Sequence, residues 1–340
     1  MSTAPTTPSV QIDAYQQADE PAVLDLLTDA MGGGPLGRRA PEFFRWKHLE
    51  NPFGRSFMLL ARSGGRVVGL RAFLRWELRA GGRRLRAVRA VDTATHPDFQ
   101  GMGVFSRLTR AAVEELRAEV DLIFNTPNEK SLPGYLKMGW RTVGTIRPAV
   151  RLRRPLRAIL GARSDRGPQG PAPAVLAPAA EEVLADDRLA SLLPVPDDED
   201  TLTTVRDLAY LRWRFGSRSL LGYRAVVEER HGRTAALAVF RVRPRGRSWE
   251  ATIAEVLARP GDRQTIRAVL RGVLRAAPGV DHATCLFPPR SPGRRAARRA
   301  GFVPSPEGMV LVVNPLREGI APDPTLPASW SHSLGDLEVF

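Results

Sequence analysis

The chain has 340 residues, 43% of them hydrophobic and 25% charged, with a formal net charge of +14. That length allows two domains that each bury a core, and the balance is that of a globular protein rather than a disordered one. A single cysteine, Cys285, excludes an internal disulfide framework and a cysteine-rich zinc site, and no apolar run is long enough to cross a bilayer.

Residues 9–15 alternate as a strand does, and PAVLDLLTDAM then spaces its apolar residues as a helix. Gly32, Gly33 and Gly34 end that helix, and PEFFRWKHLE predicts a second one with Pro41 in its first turn. SFMLLARS and RVVGLRAFLRWEL are β-rich and joined at Gly64-Gly65 as a hairpin; LRAVRAVDTATH follows the Gly81-Gly82 turn as a third strand. A glycine loop then opens the helix VFSRLTRAAVEELRAE, whose Val104, Leu108, Ala111, Ala112 and Leu116 share one face. DLIFNTPN predicts a buried strand, LPGYLKMG a short helix and WRTVGTIRPAVRL a closing strand pair. Residues 161–203 are rich in proline, glycine and alanine and read as a linker with a short helix in VLADDRLASLL; the tail after 316 reads as irregular. Cys285, in the apolar run HATCLF, is expected to be a buried packing residue.

The start of the chain carries neither a basic segment nor an apolar one, so the expected location is cytoplasmic. Positive charge comes almost wholly from arginine, with lysine only at Lys47, Lys130 and Lys137. Its densest groups are Arg151, Arg153, Arg154 and Arg157, and Arg294, Arg295, Arg298 and Arg299. Spread through both halves, it predicts solvated faces, with attraction of an anionic partner as the alternative.

An internal repeat organises the chain. FFRWK at 43–47 recurs as YLRWR at 210–214, and GGRVVGLRAF at 64–73 as HGRTAALAVF at 231–240, both at an offset of 167. MGWRTVGTI at 138–146 has a looser echo in AGFVPSPEGMVLV at 300–312. Two similar α/β domains in tandem are expected: 1–160, a linker at 161–203, 204–315, and a tail at 316–340.

Chemistry concentrates between Asp92 and Trp140. His96-Pro97 stops the strand, and Gln100-Gly101-Met102-Gly103 forms a loop that runs into a helix. Gly101 and Gly103 remove the Cβ atoms that would hold an anion away, and the helix start offers free N–H groups and a positive dipole end. The same glycines would also serve a turn that merely needs positive φ.

This loop resembles motif A of the GNAT superfamily of N-acetyltransferases, (Arg/Gln)-x-x-Gly-x-(Gly/Ala), which Gln100 and Gly103 match and Phe105 does not. Asn128, Ser131, Tyr135 and Gly139-Trp140 resemble its motif B. The resemblance implies two GNAT-like domains, each a mixed, mainly antiparallel central sheet flanked by helices. It implies acetyl-CoA as co-substrate and no metal, with the pyrophosphate on the amides of Met102, Gly103, Val104, Phe105 and Ser106, beside Gln100 and Gly101. Asn128 would contact the pantetheine arm, Ser131 would lie in the same motif or cap the short helix, and backbone N–H groups near Ala94 and Thr95 would polarise the thioester. Tyr135 would protonate the leaving thiolate, against a packing role for the same ring. Asp92, placed by alternation opposite Val91 and Thr93, is the candidate base, against a paired strand carboxylate and against a water relay; Glu77 is a weaker candidate, and His96 reads as a turn residue.

The second repeat has only Gly261 where motif A would lie and alanine and arginine where Tyr135 would lie, so one active site is expected, in the first half. The leading function is N-acyl transfer, acetyl-CoA dependent, to a small-molecule or peptide amine. The alternatives are a tandem enzyme that takes aminoacyl groups from tRNA, which the basic charge favours, and a sensor that binds acyl-CoA without turnover. Acceptor, acyl length and oligomeric state are not encoded in these motifs.

Overall fold

The computed structural model describes residues 9–31, 40–161, 166–168, 170–193, 198–259, 261–289 and 291–337. The break expected at Gly32–Gly34 lies outside them. In chain order the elements are β1 (Gln11–Ala14), α1 (Glu20–Met31), α2 (Pro41–His48), β2 (Phe57–Ser63), β3 (Arg66–Ala80), β4 (Arg83–Thr95), α3 (Val104–Leu116), β5 (Leu122–Asn125), α4 (Leu132–Lys137), β6 (Arg141–Ile146), β7 (Ala149–Leu152), α5 (Pro155–Gly161) and α6 (Ala180–Leu184). They continue with β8 (Leu202–Thr204), α7 (Leu208–Phe215), α8 (Arg218–Leu221), β9 (Arg224–Arg230), β10 (Arg233–Arg245), β11 (Ser248–Ala258), α9 (Arg263–Ala276), β12 (His282–Cys285), α10 (Pro292–Arg299), β13 (Val303–Pro304), β14 (Met309–Pro315), β15 (Trp330–Ser331) and α11 (Leu334–Leu337). No helix among the described residues is long and apolar enough to cross a membrane.

The chain forms two compact units, one of residues 1–77, 85–142 and 312–320, the other of 78–84, 143–311 and 321–340. In the first, the strand order is β1-β2-β3-β4-β5-β14. β1 to β3 are antiparallel, and β4 runs parallel to β5 through the pairs Ala87 with Leu122 and Arg89 with Phe124. The second sheet runs β13-β7-β12-β11-β10-β9, with β11 and β12 parallel and the rest antiparallel. Each unit is therefore a mixed, mainly antiparallel α/β sheet with helices, and the repeat is structural. α2 and α7, β2 and β9, and the starts of β3 and β10 lie at the offset of 167, and β5 and β12, like the starts of α4 and α10, lie at 160.

The closing strands differ from expectation. β6 and β7 do not pair with each other as a hairpin across 140–152. β7 joins the second sheet, Ala149–Leu152 against Cys285–His282 of β12, while Val312–Pro315 of β14 joins the first, against Asn125–Leu122 of β5. β5 and β12 each present a row of backbone groups that must be paired once buried. Strand periodicity marks such a segment as a strand but does not name its partner.

Part of the segment expected to be a linker is packed into the second unit: Ala177, Ala179, Ala180 and Leu184 are buried, and Ala179 bridges Arg224. The tail expected to be irregular forms β15 and α11. Trp330 pairs with Leu202, and Trp330, Leu334, Asp336 and Leu337 are buried in the second unit. Small residues let 177–180 approach the sheet without the apolar spacing that signals a helix or strand.

In the first unit α3 buries Val104, Leu108, Ala112 and Leu116, and its Val104 and Leu108 meet the sheet at Gly69 of β3, which pairs with Ala61 of β2. Gly69 makes this close approach feasible, since a Cβ there would stand 2.8 Å from Val104 Cγ1 and 3.1 Å from Leu108 Cδ1. The α3 N-terminus is thereby held against β3, the strand that carries Arg71.

Candidate active site

The loop from Gln100 to Gly103 leaves β4 through a single turn of 3-10 helix at Pro97–Phe99. His96 serves this turn: its Nδ1 accepts from the Asp98 N–H, and its Nε2 is 2.8 Å from Arg66 Nη2. Gln100 Nε2 donates to the Thr95 carbonyl at 3.3 Å, tying the loop to the strand end. Gly101 and Gly103 have φ of +79° and +75°, and nothing lies within 4 Å of a Cβ at either, so the requirement for glycine is conformational. Gly103 is the N-cap of α3 and has no side chain to cap it. The first-turn N–H groups of Val104, Phe105 and Ser106 precede any intrahelical acceptor. Met102 stands 42% exposed at the loop tip, and Ala94 is buried in β4.

Phe105, the departure from motif A, turns toward α4. Its ring meets Tyr135 edge-on with centroids 5.5 Å apart, and a Cβ at Gly134 would stand 2.9 Å from Phe105 Cε1. A large residue on α3 is matched by a missing side chain on α4. Trp140 closes the other side of Tyr135 at 5.3 Å. Gly139, with φ of +96°, follows α4 in the left-handed region.

Tyr135 is 4% exposed, and its Oη accepts a hydrogen bond of 2.7 Å from Arg71 Nη1. The same Nη1 donates to Thr93 Oγ1 at 2.5 Å. Among the described residues the phenol donates its own proton to no acceptor. Asn128 Oδ1 accepts from both the N–H and the hydroxyl of Ser131, each at 2.9 Å. Ser131 is the N-cap residue of α4, but its side chain caps no N–H there; its own N–H is held by Asn128.

Asp92 departs from the extended backbone of β4. Its φ is +39°, a conformation that non-glycine residues adopt rarely and usually where surrounding contacts enforce it. The carboxylate, 3% exposed, lies 2.6 Å from Lys47 Nζ and 2.9 Å from His48 Nε2, and His48 Nδ1 lies 2.9 Å from Ser56 Oγ. The carboxylate is therefore buried and ion-paired, the geometry that the paired-carboxylate alternative describes. Glu77, half-buried in β3, lies six residues from Arg71, about 20 Å along the strand.

The second unit repeats the frame without the loop. Arg89 is the last paired residue of β4 with β5, and Thr252 the last of β11 with β12. Three residues beyond each stands a buried carboxylate, Asp92 in one and Glu255 in the other, and Glu255 accepts from Arg206 Nε at 2.8 Å. Between strand and helix, residues 96–103 in the first unit become only 259–262 in the second. There Asp262 caps α9, its Oδ1 accepting from the Thr265 N–H at 2.9 Å. Beyond β11 and β12, a cavity of about 110 Å³ lies among Glu255, Cys285 and tail residues Ser331–Ser333. Cys285 is buried, and burial pushes its thiol up, as befits a packing residue. The arginines at 151–154 are occupied internally: Arg151 donates to the Ala300 carbonyl, Arg153 to that of Leu274, and Arg154 to that of Gly279.

Sequence reasoning did not single out Arg71, Thr93, Lys47 or His48. The available signal was a charge in the middle of the apolar run GLRAF, and a basic pair at the end of α2.

Residues 11–143 match the family model described as an acetyltransferase (GNAT) domain. A comparison with curated proteins found no match. Among solved structures, a GCN5-related N-acetyltransferase from Kribbella flavida is 17% identical with a TM-score of 0.60, covering 92% of this chain and 72% of its own. One from Anabaena variabilis is 12% identical with a TM-score of 0.62, over 91% and 73%. A conserved protein from Enterococcus faecalis, titled a probable N-acyltransferase, is 12% identical with a TM-score of 0.61, over the same shares. Residues 11–143 therefore resemble a GNAT acetyltransferase domain, and the chain shares the fold of the GCN5-related N-acetyltransferases.

Proposed function

We propose that the first unit is an N-acyltransferase that moves an acyl group, acetyl from acetyl-CoA in the simplest case, to a primary amine by direct attack in a ternary complex. The observation that carries this reading is the contrast between the two helix starts. Gly103 leaves the N–H groups of α3 uncapped behind an eight-residue loop, whereas Asp262 fills the same place in the second unit with a carboxylate. An uncapped, glycine-led helix start suits a pyrophosphate; a capped one repels it. On this reading Met102 to Ser106 hold the phosphates, with Gln100 and Gly101 shaping the loop. The Asn128 amide contacts the pantetheine arm beside Ser131, and N–H groups at Ala94 and Thr95 polarise the thioester carbonyl.

Tyr135 is the proton donor. Its oxygen accepts from Arg71, so its hydrogen can turn to the sulfur as the tetrahedral adduct collapses. Asp92 holds the bend in β4 through Lys47 and His48, and the amine's proton leaves through water. A carboxylate kept at the same place in the unit that lacks the loop favours this positioning role over that of a base. Titration calorimetry with acetyl-CoA, followed by thiol release over a panel of amines, tests the reading. Binding and release are expected in the wild type, and Tyr135→Phe should keep binding while slowing release about 100-fold. Absence of acetyl-CoA binding would sink the proposal; binding without release from any amine would make the protein a sensor.

A further inference from the structure

Arg71 carries an unbalanced charge into the first unit. It is 0% exposed, and beyond its two hydrogen bonds from Nη1, the Nε and Nη2 atoms reach no acceptor among the described residues. Nor does it form an ion pair among those residues. Its remaining neighbours are rings: Phe73, Tyr135 and Phe105, with the guanidinium carbon 4.2, 5.3 and 5.7 Å from their centroids. Ring faces attract a cation but hold no formal counter-charge. Lys47 and Arg206, buried nearly as deeply, each sit against a carboxylate. A buried cation that lacks one is an arrangement that proteins otherwise avoid.

We propose that the reaction supplies the missing anion: Arg71 is a positioning residue whose charge offsets the negative charge that develops on the leaving thiolate and on Tyr135. This rests on the acyl-CoA reading above. When the adduct collapses, the carbon–sulfur bond breaks and its electron pair stays on sulfur, which takes the Tyr135 proton. The phenolate left behind keeps the hydrogen bond from Arg71 Nη1 until water returns a proton, the amine having released one to water as its nitrogen–carbon bond formed. Acyl-CoA and amine thus become amide and CoA with no other reactant. No carboxylate among the described residues pairs with Arg71, and one placed there would repel the sulfur that the site must release as an anion.

The test compares CoA with desulfo-CoA, which lacks the thiol, by calorimetry at pH 7 and near pH 9.5, below and above the ordinary thiol range of about 8.5. In the wild type, preference for CoA over desulfo-CoA should grow roughly tenfold with pH as the thiol ionises. Arg71→Met should bind desulfo-CoA as the wild type does and lose that growth, and Arg71→Lys, which keeps a cation, should retain part of it. In turnover, Arg71→Met should lower kcat about 100-fold with little change in KM for acyl-CoA, and add nothing to Tyr135→Phe. Persistence of the pH-dependent preference in Arg71→Met overturns the inference, and so does its absence in the wild type, a measurement that needs no variant. Failure of the wild type to bind either ligand removes the acyl-CoA reading and this inference with it, an outcome distinct from the other two.

Discussion

Tyr135 and Asp92 are both buried polar groups, but they are held in opposite ways. Tyr135 has its oxygen occupied by Arg71 and its proton uncommitted, whereas Asp92 accepts from Lys47 and His48 on a backbone bent to φ +39°. Removing the Asp92 carboxylate strands Lys47 in the interior, and breaking a buried pair in this way costs about 3–5 kcal/mol. Asp92→Ala should therefore lower the urea midpoint before it is assayed for anything else. If its stability is unchanged and only turnover falls, the positioning role is wrong and the base reading returns. Tyr135 was legible because motif B spacing singles it out. Its control by Arg71 was not, since that contact joins residues 64 positions apart on β3 and α4.

At the level of elements, α3 and α4 meet through an exchange of volume. Phe105 occupies the space that Gly134 vacates, which makes a substitution at either position interpretable only with its partner. Gly134→Ala should destabilise the first unit by about 1–3 kcal/mol through overpacking. The added Phe105→Ala should recover much of that loss, a coupling measurable in a double-mutant cycle by thermal melting. Additive effects would show that the two residues do not share this space. The departure of Phe105 from the motif is thus explained by α4, not by the loop. Motif comparison read one segment at a time and had no means of seeing this compensation.

Across the whole molecule, the second unit keeps the frame and pairs its buried charges internally. Arg206 lies between Glu255 and Asp336, at 2.8 and 2.7 Å, and Ser333 donates to Glu255 at 3.0 Å, so the tail locks onto β11. Arg206→Met leaves two buried carboxylates facing each other and should cost roughly 3–5 kcal/mol in denaturant. Glu250 gives a pH signature. Burial opposes its charge, but hydrogen bonds from His282, Thr284 and Thr252 and the charge of Arg243 outweigh burial and hold it well below the usual carboxylate range. A carboxylate depressed on folding stabilises the folded state above the free value of 4.5, and that contribution is lost as pH falls below it. Glu250→Gln should be less stable than wild type at pH 7, by about 1–3 kcal/mol, with the gap closing in acid. A gap that stays constant to pH 3 or so would show that Glu250 carries no such linkage.

The sequence by itself determined the helices and strands over residues 9–152, the doubling of the frame and the loop at 96–108, because each rests on local spacing: apolar period, glycines that permit positive φ, and short motifs read in order. The loop was legible for the further reason that it is built mainly from backbone, whose conformation Gly101 and Gly103 announce. Tertiary structure decided what depends on partners distant in the chain. It placed β14 beside β5 and β7 beside β12, packed residues 177–184 and 330–337 into the second unit, and drew Asp92 into an ion pair with α2. It also set behind Tyr135 a buried arginine with no carboxylate among the described residues. Pairing of strand edges and compensation of buried charge are settled by which groups meet in space, and spacing along the chain carries no record of that.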